Sequence, residues 1–280
     1  MSTTGPSLDV RFAGSIPRLY QDYLVPLIFE PYAADLLTRV TARPASQILE
    51  LAAGTGVVTR RLATSLPESV AIVATDLNQA MLDCASSVGT TRPVEWRQAD
   101  AMQLPFADRT FDTVVCQFGV MFFPDKGKAF AEARRVLRPG GTFIFNVWDR
   151  LDENAFAATV TAALKSYFPA DPPEFMNRTP HGYHDHELIK ADLARGGFTS
   201  LPRIDTVPAR SRGASAQAVA LAYCQGTPLR NEIESRDPAG LQKATDHAAR
   251  LLVERFGAGE VEGKIQALVI EAEVAADGGR

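Results

Sequence analysis

Between residues 48 and 147 the chain alternates short apolar runs with stretches whose apolar positions recur at helical spacing. The apolar runs predict strands over residues 48–51, 70–74, 94–98, 111–116 and 142–147. The amphipathic stretches between them predict helices over 57–66, 79–87 and about 127–137, the last ended by a turn at Arg138-Pro-Gly-Gly141. Strands separated by helices imply right-handed crossovers and a mostly parallel sheet.

Beyond residue 150 the pattern is less regular. Residues 155–167 read as a helix and 168–184, rich in proline and aromatics, as a loop. Asp185 is placed to cap a helix that ends at Gly196-Gly197. A strand over 198–207, helices over 215–223 and 238–256, and a last strand over 264–274 complete the prediction. The expected architecture is α/β: a doubly wound, seven-stranded, mostly parallel sheet with helical additions. It is read as a single domain with a core of about 45–148 plus the strands at 197–207 and 264–274. Segments 10–40, 150–185 and 208–262 are expected to act as lids. In the first of these, Pro17, Pro26 and Pro31 are expected to break the chain into short pieces of a hinged cover.

Composition narrows the partners. The chain has 280 residues, 46% hydrophobic and 22% charged, with a formal net charge of −4. It has no block of one sign to attract nucleic acid or an anionic membrane. Its three cysteines, Cys84, Cys116 and Cys224, are isolated, which disfavours a disulfide framework or a Cys-x-x-Cys metal site. No apolar run reaches the roughly 18–20 residues of a membrane span. The opening Met1-Ser-Thr-Thr-Gly-Pro lacks the basic-then-apolar pattern of a secretory leader. The expectation is a cytoplasmic protein, monomer or homodimer, acting on a small molecule.

The most informative stretch is Glu50-Leu-Ala-Ala-Gly-Thr-Gly56, where a predicted strand enters a helix. Glycines there allow a tight turn and close approach of a ligand, although a lone G-x-G also marks an ordinary turn. Asp76 closes the second predicted strand, about 20 residues on, where a carboxylate can accept both hydroxyls of a ribose. Asp100 closes the third, within reach of an adenine amino group. Either acid alone could be a helix or turn cap. Three such features at consecutive strand ends point to a nucleoside.

These residues resemble the class I S-adenosylmethionine (SAM)-dependent methyltransferases, in the small-molecule branch that includes ubiquinone and menaquinone biosynthesis enzymes. The resemblance covers roughly residues 45–148. It rests on Ile48-Leu-Glu-Leu-Ala-Ala-Gly-Thr-Gly56, Ala74-Thr-Asp-Leu-Asn78, Gln98-Ala-Asp-Ala101, Phe111-Asp-Thr-Val-Val-Cys-Gln117 and Ala133-Arg-Arg-Val-Leu-Arg-Pro-Gly-Gly141. It implies a Rossmann-like methyltransferase fold, with SAM as cofactor and transfer of its methyl to an O, N, S or C atom of a small, apolar or aromatic acceptor. Gly54 and Gly56, with Ala52 and Glu50, would line the methionine and ribose portion. Asp76 would hold the ribose, Leu77 would lie against the adenine, and Asp100 with Ala101 would contact it; Met81, five residues after Asp76, is read either as packing under the adenine or as plain core. Gln117 and Phe118 would face the amino-acid part and the transferred methyl. The family often has glycine where Ala52 stands, and alanine also occurs in the ubiquinone-type branch.

Two other functions use the same residues. A nicotinamide-dependent oxidoreductase would need a third fingerprint glycine where Thr59 stands. A SAM-binding sensor or scaffold would keep every cofactor residue. For catalysis, His181 and His184, in His181-Gly-Tyr-His-Asp-His186, are candidate bases; the same run can be a loop-to-helix entry, and no metal is expected there. Tyr20 and Tyr23 are candidates for aromatic contact with a sulfonium.

Overall fold

The computed structural model describes residues 8–276; the N-terminal run read for a leader lies outside them. The strands form one seven-stranded sheet in the order β3-β2-β1-β4-β5-β7-β6. They are β1 (Gln47–Glu50), β2 (Ala71–Asp76), β3 (Glu95–Gln98), β4 (Phe111–Gln117), β5 (Leu137–Trp148), β6 (Arg203–Gly213) and β7 (Val261–Glu273). The pairs β1–β2, β1–β4, β2–β3 and β4–β5 are parallel, and β5–β7 is antiparallel. This is the doubly wound sheet of the Rossmann-like methyltransferase fold. Strand order reverses direction between β1 and β4, and the crevice at such a reversal is where open parallel sheets take their ligands.

The described chain falls into two compact units. One gathers residues through Pro31, Asp149–Gly182 and Pro208–Gln266; the other holds Tyr32–Trp148, Tyr183–Val207 and the chain from Ala267 onward. In the second unit the central strands are apolar on both faces: Ile48, Leu49, Val114, Val115, Phe143 and Phe145 are all buried. This explains why they read as continuous apolar runs rather than alternating ones. Its helices include α3 (Val57–Ser65), α4 (Gln79–Val88), α5 (Lys126–Val136) and α8 (His186–Arg195). In the first unit α6 (Ala155–Tyr167), α9 (Ala216–Gln225) and α11 (Leu241–Phe256) pack together.

Several sequence expectations are corrected. The chain from Ile16 to Thr41 is helical throughout: α1 (Ile16–Leu19), a π-helical stretch (Tyr20–Phe29) and α2 (Glu30–Thr41) follow one another. Pro17 sits in the first turn of α1, where a missing N–H is harmless, and Pro31 follows the junction of the π-helical stretch with α2. Pro26 lies inside the π-helical stretch, whose widened turn accommodates the ring. Within the first unit this segment is core: Leu24, Val25, Leu27 and Ile28 are buried, and the Ser211 hydroxyl donates to the Leu27 carbonyl at 2.7 Å.

The turn expected at 138–141 is part of β5. Leu137 pairs with Phe111, the register shifts before Thr113, and Gly140 takes φ +78°. The strand expected from 198 begins at Arg203, because Phe198 closes α8. Phe198 N–H bonds to Leu193 O and Gly197 N–H to Ala194 O, with Gly197 at φ +85°, a Schellman ending. The predicted loop 168–184 carries a short helix, α7 (Phe175–Arg178), and the polar helix α10 (Leu229–Arg236) precedes α11.

One carboxylate ties strand starts together at the sheet edge opposite the crevice. Asp112 Oδ2 accepts from Ser46 N–H at 2.7 Å, Gln47 N–H at 2.9 Å and the Ser46 hydroxyl at 2.8 Å, and Oδ1 accepts from Arg138 at 2.6 Å. Burial works to raise its pKa, but these donors together bring it down to about 2. A depressed carboxylate contributes stability that is present above the unfolded value of 3.8 and lost as pH falls through about 2. We predict that Asp112→Ala lowers unfolding free energy by about 1–2 kcal/mol at pH 7, allowing for its partial exposure. The gap to the unsubstituted protein should close as pH approaches 2. Denaturant melts across pH test this, and a gap independent of pH would assign the loss to packing.

Candidate active site

The chain leaves β1 through a turn stitched to both neighbouring strands: Leu51 N–H donates to Val115 O and Ala53 N–H to Thr75 O, each at 2.8 Å. Three residues of this turn have left-handed backbones: Ala52 at φ +50°, Gly54 at +57° and Gly56 at +83°. Glycine adopts this region freely, whereas an L side chain costs about 1–2 kcal/mol. Ala52 therefore stands where glycine would be relaxed, the physical content of the family's preference there. Gly56 is also sterically required, since a Cβ would lie 2.7 Å from the Trp96 ring.

Two carboxylates flank the turn. Asp76, at the end of β2, accepts from Gly54 N–H through Oδ2 and from Asn78 N–H through Oδ1, both at 2.8 Å. The Asn78 side chain and Leu77 N–H also lie against this carboxylate and favour its charged form. Asp76 is 7% exposed; burial pushes its pKa up, against the pull of the Asn78 and Gly54 N–H groups. Glu50 is 1% exposed and accepts from the Thr59 hydroxyl at 2.5 Å. Burial pushes it up to about 8, opposed by the Thr59 bond and the Arg60 charge and assisted by Asp76. The residue that breaks the nicotinamide fingerprint, Thr59, is thus bonded to the first acid of the loop. Arg60 also holds the loop, donating to Thr55 O at 2.5 Å. The Thr55 hydroxyl is buried with no hydrogen-bond partner among the described residues.

At the neighbouring strand ends Leu77 is 49% exposed, and Gln98 fixes its carbonyl at 2.8 Å. Met81 is in the core at 3% exposure. Asp100, half-buried beyond β3, accepts from Met102 N–H at 2.8 Å, with half-buried Ala101 beside it. Gln117 ends β4 at 9% exposure. Phe118 follows with φ +50°, its ring stacked on Trp148 at 3.8 Å. Gly119 approaches the first turn so closely that a Cβ would lie 2.5 Å from that of Ala52.

Glu50, Ala52, Gly54, Gly56, Asp76, Leu77, Asp100, Ala101, Gln117 and Phe118 thus gather at the carboxyl ends of β1 to β4, within one unit. Tyr20 and Tyr23 belong to the other, where Tyr20 stacks on Phe29 at 4.9 Å. The histidine run is divided between the units. His181 is buried and donates through Nδ1 to Asp149 O at 2.8 Å. His184 and His186 flank Asp185, whose carboxylate caps α8 by accepting from Glu187 and Leu188 N–H. Sequence reasoning missed Thr59 and Trp96, because the residues they meet, Glu50 and Gly56, lie on other elements.

A methyltransferase-domain family matches residues 49–145. A ubiquinone/menaquinone biosynthesis C-methyltransferase of Teredinibacter turnerae is 33% identical over 169 residues, 56% of this chain and 68% of that protein. Its counterpart in Ectopseudomonas mendocina is 30% identical over 56% of this chain and 66% of that protein. Among solved structures, phosphoethanolamine N-methyltransferase 2 of Haemonchus contortus, in complex with S-adenosyl-L-methionine, superposes with a TM-score of 0.57. At 16% identity over 94% of this chain and 56% of that one, it shares the fold. The protein belongs to the class I SAM-dependent methyltransferases and is a SAM-dependent methyltransferase. Within that class it resembles the ubiquinone/menaquinone C-methyltransferases. No helix of the described residues is long and apolar enough to cross a membrane.

Glu50 makes the free protein's stability pH-dependent. Its raised carboxyl contributes stability that is fully present below the unfolded value of 4.5 and is lost as pH rises through about 8. Asp76, also raised, acts in the same direction. We predict that the melting temperature of the ligand-free protein falls from pH 5 to pH 8, and that Glu50→Gln, which stays uncharged, flattens the fall. Calorimetric scans check this; equal slopes for the two proteins would show that Glu50 is already ionised in the folded state.

Proposed function

We propose that this enzyme transfers a methyl group from SAM to an O, N, S or C atom of a small apolar or aromatic molecule, using the crevice at the ends of β1 to β4. The observation that carries the reading is the Asp76 carboxylate. It is buried at the end of β2 and bonded to the glycine turn, where a nucleoside would bring its ribose hydroxyls. The surroundings fit such a cofactor. Gly56 has no room for a side chain, the Thr55 hydroxyl lacks a partner among the described residues, and Leu77 offers an exposed apolar face beside the acid.

When bound, SAM supplies a methyl on a sulfonium, open to in-line displacement. The protein's residues have defined tasks around it. Asp76 accepts the ribose hydroxyls, and Leu77, Asp100 and Ala101 hold the adenine, with Met81 packed in the core below. Glu50 sets the charge under the turn of Ala52, Gly54 and Gly56, and Gln117 and Phe118 border the reacting carbon. Alignment of acceptor and methyl can contribute about 7–11 kcal/mol without any catalytic base. A base is required only where the acceptor loses a proton during attack. The relatives are named as C-methyltransferases of quinone biosynthesis, so an aromatic ring carbon heads the acceptors to be tried.

Calorimetry with SAM, S-adenosylhomocysteine and NAD tests the cofactor, and a panel of acceptors read by mass for the gain of one methyl tests the reaction. We predict that the first two bind and NAD does not, and that Asp76→Ala weakens binding by about 1.5–3 kcal/mol, the value of a charged hydrogen-bond partner. Asp185→Ala, which removes only the α8 cap, should bind as the unsubstituted protein does. Equal affinities for the two folded variants would refute the ribose role. Binding without transfer across the panel would favour a SAM sensor.

A further inference from the structure

Two features at the ends of β4 and β5 are left over by cofactor binding. The first is Phe118, a bulky residue with a left-handed backbone at φ +50°. Its N–H donates to the side-chain oxygen of Asn146 at 2.8 Å, and more weakly to the Asn146 carbonyl at 3.3 Å. Its ring lies parallel to Trp148, with centroids 3.8 Å apart and 6° between planes. Tyr32 meets both rings edge-on, at 5.2 and 5.4 Å, and its hydroxyl donates to Val207 O at 3.1 Å. The strained turn is thus held from three sides.

The second is Asn146 itself. It is fully buried in β5, and its Nδ2 has no acceptor among the described residues. A leucine would fill similar space without leaving a buried donor unpaired, so stability alone does not explain an amide here. Asn146 is the register partner of Gln117, so the two side chains leave the same face of the sheet. Backbone strain beside an unsatisfied polar group persists where the surroundings over-determine it, and such places cluster at ligand sites.

We propose that Asn146 is a positioning residue for methyl transfer: its side-chain oxygen fixes the Gln117–Phe118 turn against the Trp148 and Tyr32 rings at the edge of the reaction crevice. It acts through the turn and touches no reacting atom. The proposal rests on the SAM reading of the crevice.

The test uses the full chain labelled with 5-fluorotryptophan. The chain has two tryptophans, and Trp96→Phe assigns the fluorine resonance of Trp148. In the unsubstituted protein, S-adenosylhomocysteine should shift that resonance. Asn146→Leu should bind S-adenosylhomocysteine within about threefold of normal by calorimetry, a difference under about 0.7 kcal/mol. Its Trp148 resonance should nonetheless be displaced or broadened. Asn146→Asp, which keeps the accepting oxygen, should restore the normal resonance. Should the leucine variant fail to fold, Asn146→Thr takes its place. An unchanged Trp148 resonance in the leucine or threonine variant, or no response to S-adenosylhomocysteine in a protein that binds it, overturns the proposal. Absence of binding to the unsubstituted protein would instead overturn the SAM reading.

Discussion

The bond from Gly54 N–H to Asp76 Oδ2 couples the two strands on which the site depends. It fixes the glycine turn to the end of β2, so the position of the turn is set by the sheet register, Glu50 beside Ala74. It also turns Asp76 Oδ2 towards the glycine turn, while Oδ1 accepts from Asn78 N–H. Because the acceptor is charged, this is one of the stronger kinds of backbone contact. Leu51, Ala53 and Arg60 hold the loop alongside it.

A turn held this firmly can store strain. Left-handed residues occur on both sides of the β1–β4 reversal, with Ala52 and Phe118 as the non-glycine members. The two turns interlock, since Gly119 has no room for a side chain against the methyl of Ala52. A substitution at either turn is therefore felt at the other, and the two non-glycine residues must be held by parallel strands that are buried on both faces. That arrangement gives a rigid crevice wall, which suits a reaction whose rate depends on alignment.

The sheet was readable from sequence because its strands are buried on both faces and so appear as unbroken apolar runs. The glycine turn and the acids Asp76 and Asp100 were readable because strand ends can be counted along the chain. What escaped was non-local or concerned backbone geometry. Thr59 looked like an absence, a missing glycine, until its hydroxyl was found on Glu50. Asn146 is one polar residue inside an apolar strand, and its partner lies 28 residues away. Pro26 argued for a broken helix, and nothing local announces that a π-helical turn can carry it. Phe198 looked like the first residue of a strand because the Schellman ending that buries it forms only once α8 has folded.

The chemistry of the site follows from charge more than from any single reactive group. Glu50 and Asp76 are both buried, and each raises the energy of the other's ionised form. Arg60 is the cation that opposes this at Glu50, and it is already engaged with the Thr55 carbonyl. A pocket of this kind favours a ligand that brings positive charge, since the acids can then ionise at lower cost. SAM carries such a charge on its sulfur, and the demethylated product does not. Under the proposed reading, the acid pair would hold the charged donor more tightly than what remains after transfer. The family match spans residues 49–145, which hold every candidate cofactor residue except Tyr20 and Tyr23, so the donor half of the reaction is the half this chain makes legible.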